Sequence, residues 1–90
     1  MERIRFRIAF SDESVLDEIR RLPKNTQELI RRAIKQRLET NPLSYGKPLQ
    51  YSWKGHRSLR VSNYRIIYTV NEDQVLVTII KVDIRRDVYG

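Results

Sequence analysis

Two arginines on either side of a predicted turn are the most informative residues in this sequence. Ser62 and Asn63 are turn-forming residue types, and short runs typical of β-strands lie on both sides of them. A two-residue hairpin turn would place Arg60 directly opposite Arg65 on the neighbouring strand. Like charges in that position repel each other, and an anion bound between them would remove the repulsion. The spacing therefore predicts a phosphate-facing site on this hairpin.

The same register assigns the other hairpin residues to two faces, because opposed residues on neighbouring strands share a face. His56 and Ser58 are expected on the face that carries the arginines. Because Ile67, Leu76 and Ile80 also fall there, we expect the far end of this face to be covered. The opposite, apolar face is expected to hold Leu59, Val61, Tyr64, Ile66 and Tyr68.

The available side chains suit cleavage of RNA at a phosphodiester bond without a metal ion. In that reaction the 2′-hydroxyl attacks the adjacent phosphate, while the protein stabilises negative charge, accepts one proton and delivers another. Arginine offers planar, bidentate donors to phosphate oxygens, and histidine is the side-chain type that changes charge nearest neutral pH. His56 is therefore a candidate general base, and a surface histidine without a role is the alternative. The absence of cysteine and the single histidine exclude thiolate and multi-histidine metal sites.

The residues before the hairpin predict a strand and two helices. Residues 3–9 alternate between apolar and mostly arginine side chains, which is the pattern of a half-buried strand. The first helix is expected to begin after Ser11 as its N-cap and to end at Pro23. Asn25 and Glu28 resemble a capping box for the second helix. We expect that helix to bury Leu29, Ile30, Ala33, Ile34 and, near its end, Leu38.

The remaining segments complete an α+β domain that spans residues 1–90. Residues 43–54 are predicted to form a loop in which Trp53 closes the core. Residues 71–73 suggest a second turn, and the β-branched run 75–82 a final strand. This order predicts an N-terminal strand and a helical hairpin packed on one face of a mostly antiparallel sheet. Ninety residues are too few for a second core.

The net charge of the chain indicates what kind of molecule it binds. Eighteen Lys and Arg residues against eleven Asp and Glu residues give a net charge of +7. On a domain of this size we expect an acidic partner, either nucleic acid or an acidic protein segment; a basic protein without such a partner is the alternative. The N-terminus has no long apolar run, so we expect no signal peptide, no membrane contact and a cytoplasmic location.

The hairpin pattern K-G-H-R-S-L-R-V-S-N-Y-R-I-I-Y, followed near the C-terminus by R-R-D-V-Y, resembles the RelE/ParE superfamily of toxin–antitoxin toxins. The preceding G-K-P-L segment and the two N-terminal helices fit as well, so the resemblance covers essentially the whole chain. It implies a RelE-like fold and no cofactor. For the RelE branch it implies cleavage of mRNA in the ribosomal A site, leaving a 2′,3′-cyclic or 3′-phosphate end.

The resemblance also implies which residues act. The superfamily's catalytic arginine in the Y-R strand falls on Arg65, its C-terminal arginine on Arg85, and its terminal tyrosine on Tyr89. A further basic, RNA-binding position falls on Arg60.

Two lysines of RelE-type enzymes are replaced in this sequence. Their positions are occupied by His56 and Ser58. His56 could take over as general base. The missing charge for binding RNA could come from Lys54, Arg57 and Arg86.

Three functions remain open at this point. The RelE branch implies a ribosome-dependent endoribonuclease that binds mRNA and rRNA. The ParE branch implies an inhibitor of DNA gyrase with the same fold and no RNA chemistry. The third is a catalytically silent basic domain. In each case we expect a cognate antitoxin, acidic or amphipathic, that wraps the basic surface and the helices.

Overall fold

Five strands and three α-helices build an α+β fold over residues 4–84, which are the residues that the computed structural model describes. The predicted fold class is confirmed. Within this part of the chain, no helix combines the length and the apolar character needed to cross a membrane. The elements are β1 (Arg7–Phe10), α1 (Glu13–Arg20), α2 (Lys24–Ala33) continuing into a π-helical turn (Ile34–Leu38), α3 (Pro42–Tyr45), β2 (Lys47–Pro48), a 3₁₀ turn (Tyr51–Trp53), β3 (Arg57–Val61), β4 (Tyr64–Asn71) and β5 (Leu76–Ile84).

The strands form one sheet in the order β1-β5-β4-β3-β2. β1 runs parallel to β5, and every other pair is antiparallel. β2 is short and pairs with β3 only at Lys47 opposite Ser58 and Pro48 opposite Arg57. Among residues 4–84, therefore, no strand pairs with the outer edge of β3 beyond Ser58.

The core lies between the helices and one face of this sheet. On the sheet side it contains the apolar hairpin face predicted above, with Leu59, Val61, Ile66 and Tyr68 all buried. The helices contribute Val15 from α1 and a stripe from α2 and its π-helical turn. That stripe comprises Ile30, Ala33, Ile34 and Leu38, as predicted.

The beginnings of both helices differ from the prediction. α1 is capped by Asp12 rather than Ser11, because the Asp12 carboxylate accepts the backbone N–H of Ser14 at 2.9 Å. α2 begins directly after Pro23 without a side-chain cap, so the capping box is wrong. The Asn25 side chain accepts the N–H of the next residue, and this local contact replaces the expected one.

Several side chains expected in the core lie at the surface. Leu29 is 43% exposed, because Ile30 and Ile34 form the centre of the apolar stripe that faces the sheet and Leu29 lies at its margin. Trp53 is 40% exposed and does not close the core; its ring meets His56 edge-to-face at 5.3 Å. Ile4 is 68% exposed and precedes β1, which begins only at Arg7.

Two chain segments were assigned the wrong local structure. Residues 43–54, predicted as a loop, contain part of α3, the strand β2 and a 3₁₀ turn. Val75 was predicted to begin the final strand, but it has φ = +51° and its N–H donates to Glu72 in the turn. A positive φ is incompatible with a strand, so β5 begins one residue later.

Candidate functional site

The hairpin between β3 and β4 has the predicted register. Arg60 pairs with Arg65, and the two-residue turn consists of Ser62 and Asn63. Ser62 takes the positive φ of the turn, +54°, which turns of this kind require at a central residue. Arg60 and Arg65, the arginine pair, therefore lie on the sheet face opposite the core. Ile67, on the same face, is only 6% exposed, which confirms that this end of the face is covered.

Arg65 carries a donor that is not hydrogen-bonded within the described residues. Its Nε is enclosed and has no hydrogen-bond partner among residues 4–84. Asp83 lies opposite it in register on β5, but one oxygen of that carboxylate accepts the N–H of Ile84 at 2.9 Å. In the described part of the chain, neither member of the arginine pair has a carboxylate within 4.0 Å. An anion bound between the two guanidinium groups would reduce the repulsion of these like charges.

The arginine pair borders a cleft of about 470 Å³, hereafter the arginine cleft. The cleft runs around the unpaired edge of β3, between the end of α2, α3 and the sheet. None of its lining residues in the described part of the chain is acidic. Cations that converge in a cleft without acids raise the local positive potential, so the arrangement is suited to binding an anion. The polar lining consists of Arg37, Tyr45, Lys47, Ser58, Arg60 and Arg65.

Three of these residues are not among the predicted site residues, although the sequence also allows a secondary nucleic-acid contact on the outer face of the second helix, which includes Arg37. Arg37 comes from the π-helical turn, Tyr45 from the end of α3, and Lys47 from β2. The only local signal was the basic face of the second helix, which by itself is typical of a solvated surface. The packing of α2 and α3 against the edge of β3 brings these residues to the site.

Arg57, predicted to bind RNA, is a structural residue. It shares its strand face with Leu59 and Val61, so it lies on the core side and not with the arginine pair. Its Nη2 donates to the carbonyls of Leu43 and Gly46, at 2.8 and 2.6 Å. Arg57 therefore ties the segment 42–46 to the sheet, and its role as an RNA ligand stays a prediction.

Tyr68 reinforces the same attachment from the core. Its hydroxyl donates to the carbonyl of Pro42 at 2.6 Å. Burial raises the pKa of the Tyr68 phenol, and the neighbouring Arg57 guanidinium partly offsets that rise. Gly46 lies so close that an added Cβ would be 2.0 Å from the Tyr68 hydroxyl oxygen. These contacts position Tyr45 and Lys47 beside β3.

Of the other predicted site residues, the two in the described part of the chain, Lys54 and His56, do not line the arginine cleft. Lys54 is exposed in the turn before β3, and His56 precedes the first residue of that strand. Arg60 lies four positions after His56, which corresponds to about 13 Å along an extended chain. The His56 Nδ1 is enclosed without a hydrogen-bond partner in residues 4–84. Arg85, Arg86 and Tyr89 lie outside the described residues.

Comparison with known proteins identifies the family. The model of the ParE toxin of type II toxin-antitoxin system, parDE, matches residues 10–89. Toxin RelG of Mycobacterium tuberculosis is 38% identical over 52 residues, which make up 58% of this chain and 60% of that protein. The match thus spans less than two thirds of this relative's length.

Solved structures agree over nearly the whole chain. A chain of the toxin-antitoxin complex RelBE2 from Mycobacterium tuberculosis matches with a TM-score of 0.85 at 26% identity, covering 96% of this chain and 98% of that one. The isolated RelE toxin of E. coli matches with a TM-score of 0.73 at 26% identity, covering 93% of this chain and 90% of that one. Sequence and fold agree, and the chain belongs to the RelE/ParE superfamily of type II toxin–antitoxin toxins.

Proposed function

We propose that this toxin is an endoribonuclease that cleaves mRNA on the ribosome. The observation that carries the proposal is the arginine pair, whose two residues line a cleft that has no acidic lining in residues 4–84. Planar guanidinium donors match the oxygens of a phosphate group, such as those of RNA, in bidentate geometry. The likeness to RelE supports the RelE branch.

In the proposed reaction, the 2′-hydroxyl of the substrate attacks its own 3′-phosphate and the bond to the 5′-oxygen of the next nucleotide breaks. The products are a 2′,3′-cyclic phosphate and a 5′-hydroxyl. Arg65, together with Arg60 and Arg85, stabilises the charge that develops on the phosphate oxygens. Tyr89 stacks on a base or transfers a proton. Lys54 and Arg86 contribute charge for binding RNA, whereas Arg57 serves the fold.

His56 is proposed as the general base on its chemistry alone, since histidine is suited to proton transfer near neutral pH. A general base must come within about 2.6–3.2 Å of the oxygen atom that carries the proton it removes. Because the 2′-hydroxyl is adjacent to the phosphate that it attacks, the side chains of His56 and of the arginine pair would have to converge on the same nucleotide.

We also propose a cognate antitoxin as the partner of this chain. The RelBE2 structure is that of a toxin-antitoxin complex, and it matches this chain over almost its full length. Co-purification with the product of an adjacent open reading frame is the expected result. Recovery of the chain alone from cells that express both would contradict it.

Inducible expression followed by mapping of mRNA 5′ ends tests the enzymatic proposal. New ends within translated messages are expected for the parent and for Arg21→Ala, which removes an exposed arginine outside the cleft. Arg65→Ala is expected to lower cleavage by about 10²- to 10³-fold, as the loss of one donor to a developing oxyanion does. Tyr89→Phe should also weaken growth arrest. Arrest by both variants as strong as that of the parent would refute the assignment.

The second candidate is inhibition of DNA gyrase, which the match to the ParE family model favours. A supercoiling assay with purified gyrase separates the two functions. Inhibition of supercoiling without new mRNA ends would establish the gyrase function and exclude the ribonuclease. Growth without arrest at high expression of the toxin alone would indicate a catalytically silent binding domain.

A further inference from the structure

The helix α2 changes geometry where it reaches the arginine cleft. The N–H of Glu39 donates to the carbonyl of Ile34 at 2.9 Å, five residues back instead of the four of an α-helix. This wider turn keeps both Ile34 and Leu38 in the core, at 8% and 0% exposure. Arg37, between them, remains exposed and lines the cleft.

Arg37 lies over an aromatic ring that is open to solvent. Its Cζ is 5.9 Å from the ring centroid of Tyr45, which is 51% exposed. Among residues 4–84, Arg37 forms no ion pair with a carboxylate. A guanidinium without a carboxylate partner and an exposed aromatic ring are the two groups that contact a nucleotide, one at its phosphate and the other at its base.

A second cleft continues this surface along the β3 edge. Its volume is about 220 Å³, and Arg37 and Arg60 line both clefts. Arg32, Gln36 and Ser62 also line it, and none of its lining residues in the described part of the chain is acidic. The positive surface is therefore continuous from the arginine pair to the helical layer, around the part of the β3 edge beyond Ser58, which no strand covers in residues 4–84.

We propose that Arg37 and Tyr45 form a nucleotide-binding subsite next to the arginine pair. A base of single-stranded RNA stacks on the Tyr45 ring, and Arg37 contacts the phosphate that joins this nucleotide to the one held by Arg60 and Arg65. The subsite deepens the proposed function, on which it rests for the identity of the ligand. It assigns the β3 edge as the path by which the RNA strand leaves the arginine pair.

Binding of a fluorescein-labelled RNA hexanucleotide, methylated at every 2′-oxygen to prevent cleavage, tests this subsite by fluorescence anisotropy. Tyr45→Ala is expected to weaken binding about 5- to 150-fold, as the loss of one stacked base does. Tyr45→Phe keeps the ring and should bind like the parent. Tyr51→Ala removes a tyrosine that is 90% exposed and does not line the cleft, so it is the matched control.

The salt dependence of the same binding tests Arg37. Loss of one phosphate contact on single-stranded RNA reduces the slope of log K against log[salt] by about 0.7. Arg37→Gln should show that reduction, while Arg21→Gln, with the same change in charge outside the cleft, should not. Thermal denaturation of each variant verifies that the fold is retained.

Separate outcomes decide the subsite and the enzymatic function. If the parent cuts mRNA while Tyr45→Ala and Arg37→Gln bind RNA like their controls, the subsite is refuted and the function stands. If the parent binds RNA through these residues but produces no mRNA ends, the function is refuted and the subsite stands. Absence of RNA binding by the parent, or variants that lose only antitoxin binding, would also overturn the subsite.

Discussion

Arg57→Met separates the structural role of Arg57 from the RNA-binding role that the sequence suggested. Methionine keeps much of the apolar stem but removes both hydrogen bonds to the segment 42–46. A hydrogen bond from a charged donor contributes about 1.5–3 kcal/mol. The bond to Gly46 is partly buried and retains that value, whereas water can largely replace the exposed bond to Leu43.

The expected loss is therefore about 2–4 kcal/mol in the free energy of unfolding. For a domain of this size, the lower bound corresponds to a decrease in Tm of roughly 8 °C or more. Urea denaturation followed by far-UV circular dichroism measures the change. If the m-value is unchanged, the lower urea midpoint reflects a loss of stability and not a change in the compactness of the unfolded chain.

Arg21→Met is the control, because it removes an exposed arginine that donates no side-chain hydrogen bond within residues 4–84. A surface substitution of this kind is expected to change the free energy of unfolding by no more than about 0.5 kcal/mol. If Arg57→Met unfolds like Arg21→Met but loses RNA binding, the structural assignment is wrong and Arg57 is an RNA ligand.

Four further predictions follow from the same geometry. Arg60→Thr removes the like-charge pair, so unfolding free energy should rise by about 0.2–1 kcal/mol while mRNA cleavage falls; a stability below that of the parent would contradict the repulsion. Gly46→Ala places a Cβ against the Tyr68 hydroxyl and should lower the urea midpoint, and adding Tyr68→Phe should recover part of that loss. His56→Ala should slow mRNA cleavage by about 10²- to 10⁴-fold if His56 is the general base. If the variant cleaves mRNA at the parental rate in purified translation reactions, another residue accepts the proton. Burial raises the pKa of Tyr68, so the neutral phenol stabilises the fold at pH values below its ordinary pKa of 10.0. This contribution is lost as the pH rises through the raised pKa. The free energy of unfolding above pH 10 should therefore depend less on pH in Tyr68→Phe than in the parent.

The hairpin was predictable because its geometry is local. A two-residue turn and the alternation of side chains along a strand determine which residues oppose each other, and the pairing of Arg60 with Arg65 follows from these rules alone. The same alternation places Arg57 on the core face beside Leu59 and Val61. The sequence thus indicated a core-side position for Arg57, although its charge suggested an RNA ligand.

The partners of the hairpin were not predictable in this way. The irregularity between Ile67 and Tyr68 shifts the pairing of β4 with β5, so the position of Asp83 opposite Arg65 cannot be counted from the turn. The parallel pairing of β1 with β5 is also a long-range contact. Neither follows from the periodicity of a single segment.

The sequence by itself determined the α+β class, the apolar face of the hairpin and the opposed arginines, because each depends on neighbours along the chain. Only the tertiary structure decided what surrounds the arginine pair. Arg37, Tyr45 and Lys47 reach the arginine cleft through the packing of α2 and α3, with the segment 42–46 held by Arg57 and Tyr68. Such convergence depends on how separate elements pack, and the local pattern of no single element encodes it.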